Sequence, residues 1–172
     1  MPHPIIMDRC FLKTQKQLLV NMNIDFHDCI VPYNNHGVVF LYPDVWQLDE
    51  EKDGEDVIIT ISSTGTCFWT LRIIPASPAP PQAVETCVSA FQEEYDDAEV
   101  ENVNTALAEM PAYSRDVTFF CMELLNTAAL RSVRTSDFTL LVWWQANSNE
   151  LDDLRPVLDE MTESVRATAL MD

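Results

Sequence analysis

Apolar and polar positions alternate along much of this chain, and switches between a two-residue and a three-to-four-residue period mark its elements. In residues 37–46, Gly-Val-Val-Phe-Leu-Tyr-Pro-Asp-Val-Trp, Val38, Phe40 and Tyr42 fall on one side of an extended segment and Val39 and Leu41 on the other. Pro43 removes a backbone donor, so pairing must stop there. The pattern predicts one or two strands over 29–48, a hairpin loop in the acidic stretch 49–56 around Gly54, and a strand over 57–62. A turn at Ser63-Thr64-Gly65 leads into a strand over 66–74, where Cys67, Trp69, Leu71 and Ile73 alternate with Phe68, Thr70, Arg72 and Ile74.

The period then changes. Pro80 and Pro81 suit the first turn of a helix, with Ser77 as a candidate cap, and Val84, Cys87, Val88, Phe91 and Tyr95 recur at helical spacing, predicting a helix from there to about Tyr95. Strands are predicted over 100–104, 113–125, 130–135 and 137–145. Asn147 to Asn149 are cap candidates for a closing helix that shares Leu151, Leu154, Leu158, Met161 and Val165 on one face. Pro156 conflicts with a continuous helix and predicts a break or a kink near Arg155. Strands, helix, strands, helix describe an α+β domain with a mostly antiparallel sheet.

Residues 37–46, the Pro-led helix at 80–95, the strand 140–145 and the ending Leu154-Arg155-Pro156-Val157-Leu158-Asp159-Glu160-Met161-Thr162-Glu163-Ser164-Val165 together resemble the PsbP-like superfamily. That superfamily includes the photosystem extrinsic protein, bacterial DcrB-like proteins and a nuclear Ran-binding protein. The resemblance spans about residues 33–168 and implies an α/β/α sandwich, with an antiparallel sheet flanked by helices, and a general binding or assembly role. It carries over no functional residue. Residues 1–22 have no clear periodicity and are read as an N-terminal tail, leaving 23–172 as a single domain.

Composition narrows the chemistry. The 172 residues hold 10 Lys and Arg against 28 Asp and Glu, a formal net charge of −18, which repels nucleic acid and anionic membrane surfaces and favours basic partners. No run approaches the roughly 20 apolar residues of a membrane helix. Cys10, Cys29, Cys67, Cys87 and Cys121 are widely spaced with no Cys-x-x-Cys, so neither a disulfide framework nor a zinc knuckle is suggested, and a reducing, cytoplasmic location is expected. Gly37, Gly54 and Gly65 are the only glycines, so no Gly-x-Gly-x-x-Gly or P-loop can be written.

Asp49, Glu51, Asp53 and Gly54 match four positions of a calcium loop, but the twelfth position is Thr60 where a bidentate glutamate is required, so a solvated hairpin is expected. His27, Cys29 and His36 sketch a metal or thiol site that lacks further ligands by spacing; strand packing is the competing reading. The serines have no nucleophile elbow, and all three histidines lie in the first 36 residues. No catalytic set, metal site or cofactor is therefore predicted.

Trp143 and Trp144 point to opposite faces of one strand, and Phe68 and Trp69 do so on another. Both sheet faces carry large aromatics, which two helices need not cover completely. Core packing on one side with partial helix cover on the other is one outcome; an exposed aromatic patch is the other. Candidate partner-binding residues are Trp69, Trp143 and Trp144, with an acidic rim from Glu93, Glu94, Asp96 and Asp97 that would select a protein with a basic or amphipathic surface. The leading expectation is a non-enzymatic protein-binding module. The alternatives are an acidic chaperone or adaptor for a secreted effector, and an enzyme with a scattered site.

Overall fold

Eleven strands and two helices make up the described part of the chain, residues 30–168 of a computed structural model. The expected residues 1–22 tail, His27 and Cys29 lie outside it. The strands are β1 (Ile30–Asn35), β2 (Val38–Pro43), β3 (Gln47–Asp53), β4 (Asp56–Ser62), β5 (Phe68–Ile74), β6 (Glu99–Asn102), β7 (Thr105–Leu107), β8 (Met110–Cys121), β9 (Leu124–Arg134), β10 (Thr139–Asn147) and β11 (Arg166–Ala167). The helices are α1 (Pro80–Glu94) and α2 (Leu151–Ser164).

All strand pairs are antiparallel. One sheet runs β3-β4-β5-β10-β9-β8-β6, with β7 also on β8, and a ribbon β1-β2-β11 forms a second, smaller sheet. Because successive side chains in a strand point to opposite faces, the register sorts the apolar residues into two clusters. Val57, Ile59, Ile61, Trp69, Leu71, Ile73, Leu140, Val142 and Trp144 share one face with Val157, Leu158 and Met161 of α2 and Phe40 of the ribbon. Val117, Phe119, Ala128, Leu130 and Leu141 share the other with Val84 and Val88 of α1. The result is an α+β sandwich: α1, then the main sheet, then α2 with the ribbon.

The 37–46 motif is placed as its pattern requires. Val38 and Phe40 are buried, Phe40 stacks on Tyr33 at 4.8 Å between centroids and meets Trp69 at a tilt, also at 4.8 Å, and Pro43 ends β2 in a turn that accepts the Trp46 N–H at 3.1 Å. Gly37 does not begin the strand but completes a two-residue turn with His36, both at positive φ (80° and 54°), the geometry that suits hairpin twist. The acidic stretch read as a loop is instead strand: β3 runs to Asp53 and turns tightly at Gly54. The span 113–125 is interrupted, because β8 and β9 meet in a two-residue turn at Met122 and Glu123, φ 52° and 65°.

Helix boundaries follow the period, but the caps differ from expectation. The N-cap of α1 is Ala79 with no side-chain bond, while Ser77 Oγ donates to the Pro75 carbonyl at 3.2 Å. Glu150 caps α2 without a side-chain bond, and Asn147 Oδ1 accepts from the Asn149 N–H at 2.9 Å within the preceding turn. Helix α2 passes through Pro156 as one element; the buried Val157, Leu158 and Met161 anchor it to the sheet beyond the lost hydrogen bond.

Candidate binding groove

Helix α1 lies over β8, β9 and β10. It leaves the same face of β5 and β4 beside it only partly covered among the described residues. A groove of about 510 Å³ occupies this space, with Phe68, Trp143, Leu141 and Ile58 in its floor and Cys87 of α1 along one wall. The opposite wall is the edge strand β3, represented by Glu51. Alternation explains the lining: Ile58, Thr60 and Ser62 are the residues of β4 that do not enter the α2-side core, and Phe68, Thr70 and Arg72 are their counterparts on β5.

The floor is aromatic and held in place from beneath the helix. Phe68 meets Trp143 edge to face at 5.5 Å between centroids, and Phe91 of α1 meets Trp143 similarly at 6.2 Å, arrangements that suit the ring quadrupoles. Trp143 Nε1 is buried and has no hydrogen-bond partner. An unsatisfied buried donor costs about 1–3 kcal/mol. Thr60 and Thr70 pair across the strands, Oγ1 to Oγ1 at 3.3 Å, which spends part of the polar capacity of the floor.

The rim is acidic. Asp49, Glu51 and Asp53 lie on the groove side of β3, since Leu48 and Glu50 face the ribbon. Arg72 is the cation in the lining, and it is already engaged: Nε donates to Asp56 Oδ2 at 2.8 Å and Nη2 to Asp53 Oδ2 at 2.9 Å. Burial lowers the Arg72 pKa, but these two carboxylates outweigh it and hold the guanidinium more firmly charged than usual. Burial pushes both groove cysteines up, Cys67 to about 12 with a further push from Glu150, and Cys87 less because Arg72 opposes it. These are thiols at neutral pH, the opposite of an activated nucleophile.

The sequence candidates separate. Trp143 lies in the groove, whereas Trp69 and Trp144 are 0% and 1% exposed and belong to the α2-side core, a correction to their reading as contact residues. Trp69 Nε1 donates to Thr162 Oγ1 at 3.0 Å, and the Arg155 guanidinium lies over the Trp144 ring at 5.3 Å. Glu93 and Glu94 are exposed at the end of α1, away from the groove lining. They lead to Asp97, whose Oδ2 accepts the Phe120 N–H at 3.0 Å next to the exposed Phe120 and Met122. Ile58, Phe68, Cys87 and Glu51 were not singled out as partner contacts from the sequence; the outward register of β4 and β5 was the available signal.

Of the residues that sketched a metal site, His36 is within the described part, and its Nε2 is 2.6 Å from Glu50 Oε1. Tyr33 donates to the other oxygen at 2.7 Å, so Glu50 clasps the ribbon to the sheet edge. No group of three or more His, Cys, Asp or Glu side chains among the described residues could hold a metal ion. The calcium-like positions lie in a ladder where Asp49 faces Thr60, not in a loop. No helix among the described residues is long and apolar enough to cross a membrane.

No protein-family model and no curated protein sequence matches the chain. Solved structures do match. Cyanobacterial PsbP (CyanoP) from Synechocystis sp. PCC 6803 is 12% identical with a TM-score of 0.53, covering 80% of this chain and 92% of its own. LpqN of Mycobacterium tuberculosis is 13% identical with a TM-score of 0.46, covering 83% and 92%, and PA94 from Pseudomonas aeruginosa is 12% identical at 0.48, covering 78% and 94%. The chain has a PsbP-like fold. At these identities the likeness speaks for architecture alone.

Proposed function

We propose that this chain is a non-enzymatic protein-binding module whose groove takes an amphipathic, basic segment of a partner protein. The observation that carries the reading is the floor: Phe68 and Trp143 are half-buried rather than buried, and the Trp143 indole N–H is left without an acceptor. Apolar side chains of a partner would complete the cover that α1 leaves unfinished, and basic side chains would meet Asp49, Glu51 and Asp53. The raised thiol pKa of Cys87 and the engaged state of Arg72 favour binding over catalysis at this place.

Fluorescence anisotropy of a labelled, short leucine–lysine peptide tests the reading, with a leucine–glutamate peptide of the same length as control. The lysine peptide is expected to bind and the glutamate peptide not to. Phe68→Asp should weaken binding at least tenfold, while Phe120→Asp at the distant hairpin should leave it unchanged. Equal binding of both peptides, or indifference to Phe68→Asp in a folded variant, would overturn the assignment.

A further inference from the structure

We propose that the end of the β8–β9 hairpin is a second interaction surface, separate from the groove: an apolar knob that inserts into a basic-rimmed apolar pocket of a partner protein. Register places its side chains. Phe119 and Cys121 turn toward α1, with Phe119 stacked on Tyr95 at 4.3 Å between centroids, so alternation sends Phe120 to the opposite face. Leu125 is its neighbour across the ladder and shares that face. Helix α2 packs mainly on β10 and β2 and leaves this end in solvent: Phe120 is 58% exposed, Leu125 40%, and Met122 in the connecting turn 90%. Single apolar side chains scattered over a surface need no explanation, but three at one hairpin end do.

The end projects, and it is braced. Strand β6 begins at Glu99 opposite Thr118, and β10 ends at Asn147 opposite Asn126, so residues 119–125 run past both neighbouring strands. Their backbone is tied nonetheless: Asp97 Oδ2 accepts the Phe120 N–H at 3.0 Å, and the Leu125 carbonyl accepts the Ser148 N–H at 2.8 Å. The turn holds Met122 and Glu123 at φ 52° and 65°, left-handed backbone that Asn-Gly would adopt with less strain. Packing within the chain does not call for a methionine there, whereas an unbranched thioether adapts well to a partner's surface.

Charge sets the partner's rim. Glu93, Glu94, Asp96, Asp97 and Glu99 run, all exposed, from the end of α1 into β6 beside the hairpin, and Glu123 lies in the turn. Four of them are the acids that the sequence pattern assigned to the rim of a binding surface, and they stand here instead of at the groove. Arg115 is the one Lys or Arg between residues 92 and 126, and Glu85 already engages it at 3.1 Å. Like charge therefore turns this end away from the groove of a second copy, rimmed by Asp49, Glu51 and Asp53, and from an anionic membrane. Lysine or arginine side chains around an apolar pocket complement it, and a projecting end requires a concave partner.

A host of that chemistry gives the test: β-cyclodextrin carrying an amino group on each sugar, an apolar cavity with a cationic rim, compared with its carboxymethyl counterpart. Binding to the full chain is followed in proton–carbon spectra through the Met122 methyl and the Phe120 ring, assigned with Met122→Ser and Phe120→Ser. The aminated host is expected to shift both signals and to bind at least tenfold more tightly than the carboxymethyl host. Phe120→Ser should remove measurable binding and Met122→Ser weaken it severalfold, while Phe68→Asp in the groove leaves it unchanged. Failure of the aminated host to shift either signal, equal binding of the two hosts, or binding that survives Phe120→Ser and is lost with Phe68→Asp overturns the proposal. Sedimentation velocity and flotation with phosphatidylcholine vesicles test the other occupants, and no association that depends on Phe120 is expected in either. A dimer, or vesicle binding, that Phe120→Ser abolishes would overturn the proposal by giving this end to a second copy or to a lipid surface.

Discussion

Adjacent residues Trp143 and Trp144 show how differently the two faces of one sheet are finished. Trp144 is sealed beneath α2, together with Trp69, whose indole N–H reaches Thr162, and with the ribbon residue Phe40. Trp143 is sealed on one side by Phe91 of α1 and stands at the groove on the other, its N–H unpaired. The first face has two covering layers, helix and ribbon; the second has one helix placed over β8, β9 and β10. On the proposed reading, stability and recognition fall to opposite sides of the same strands, and substitutions should separate along that division.

The largest expected effect is on the sealed face. Trp69→Ala should lower unfolding stability by about 3–5 kcal/mol in chemical denaturation, from cavity formation and the lost hydrogen bond to the Thr162 hydroxyl. Trp46→Ala, at 6% exposure where the β2–β3 turn closes, belongs to the same class, and an unchanged melting temperature would contradict its place in the core. Trp143→Ala should cost less, about 1–2 kcal/mol, because its ring is half-buried and no hydrogen bond is lost, yet it should abolish peptide binding. Comparable costs for Trp69→Ala and Trp143→Ala would erase the distinction between the faces.

Smaller effects sharpen it. Replacing Met122-Glu123 by Asn-Gly should stabilise the protein by about 1 kcal/mol, since both positions hold left-handed backbone that costs most side chains that much. The melting temperature should rise and peptide affinity stay the same, because that hairpin is remote from the groove.

The smallest effect is pH dependent and concerns the clasp between ribbon and sheet edge. Burial raises the Glu50 pKa, but the hydrogen bond from Tyr33 and the contact with His36 outweigh it and bring it below the usual carboxylate value. A depressed folded pKa contributes stability above the unfolded value, near pH 4.5, and loses it as pH falls through the folded value. Glu50→Gln should therefore be less stable than the native chain at pH 7, with the gap closing as pH falls below the usual carboxylate range. A gap that widens on acidification would contradict this sign.

Much of the architecture was legible because it rests on periodicity. The alternation from Val57 to Ile74 and the stripe from Val84 to Phe91 each chose one face, and the structure uses those faces. What the sequence concealed has local causes. Met-Glu and Ala-Glu occupy tight left-handed turns at 122–123 and 108–109, where glycine or asparagine would have announced a hairpin, so β8 and β9 were not separated at their true boundary and β7 was missed. The acidic run 49–53 resembled a loop, yet an edge strand can hold charged residues because one side of its backbone faces no neighbour. The groove was half legible. That two helices could leave aromatic surface uncovered followed from composition, but which tryptophan remained at that surface depended on where α1 lies across the sheet. Periodicity does not encode that placement.

The indole N–H resonances of the four tryptophans offer the most direct test of the division between faces. In a proton–nitrogen correlation spectrum assigned by single Trp→Phe variants, titration with the leucine–lysine peptide should shift the Trp143 indole signal strongly, while those of Trp69 and Trp144 stay in place. Movement of Trp69 or Trp144 with Trp143 unchanged would contradict the account.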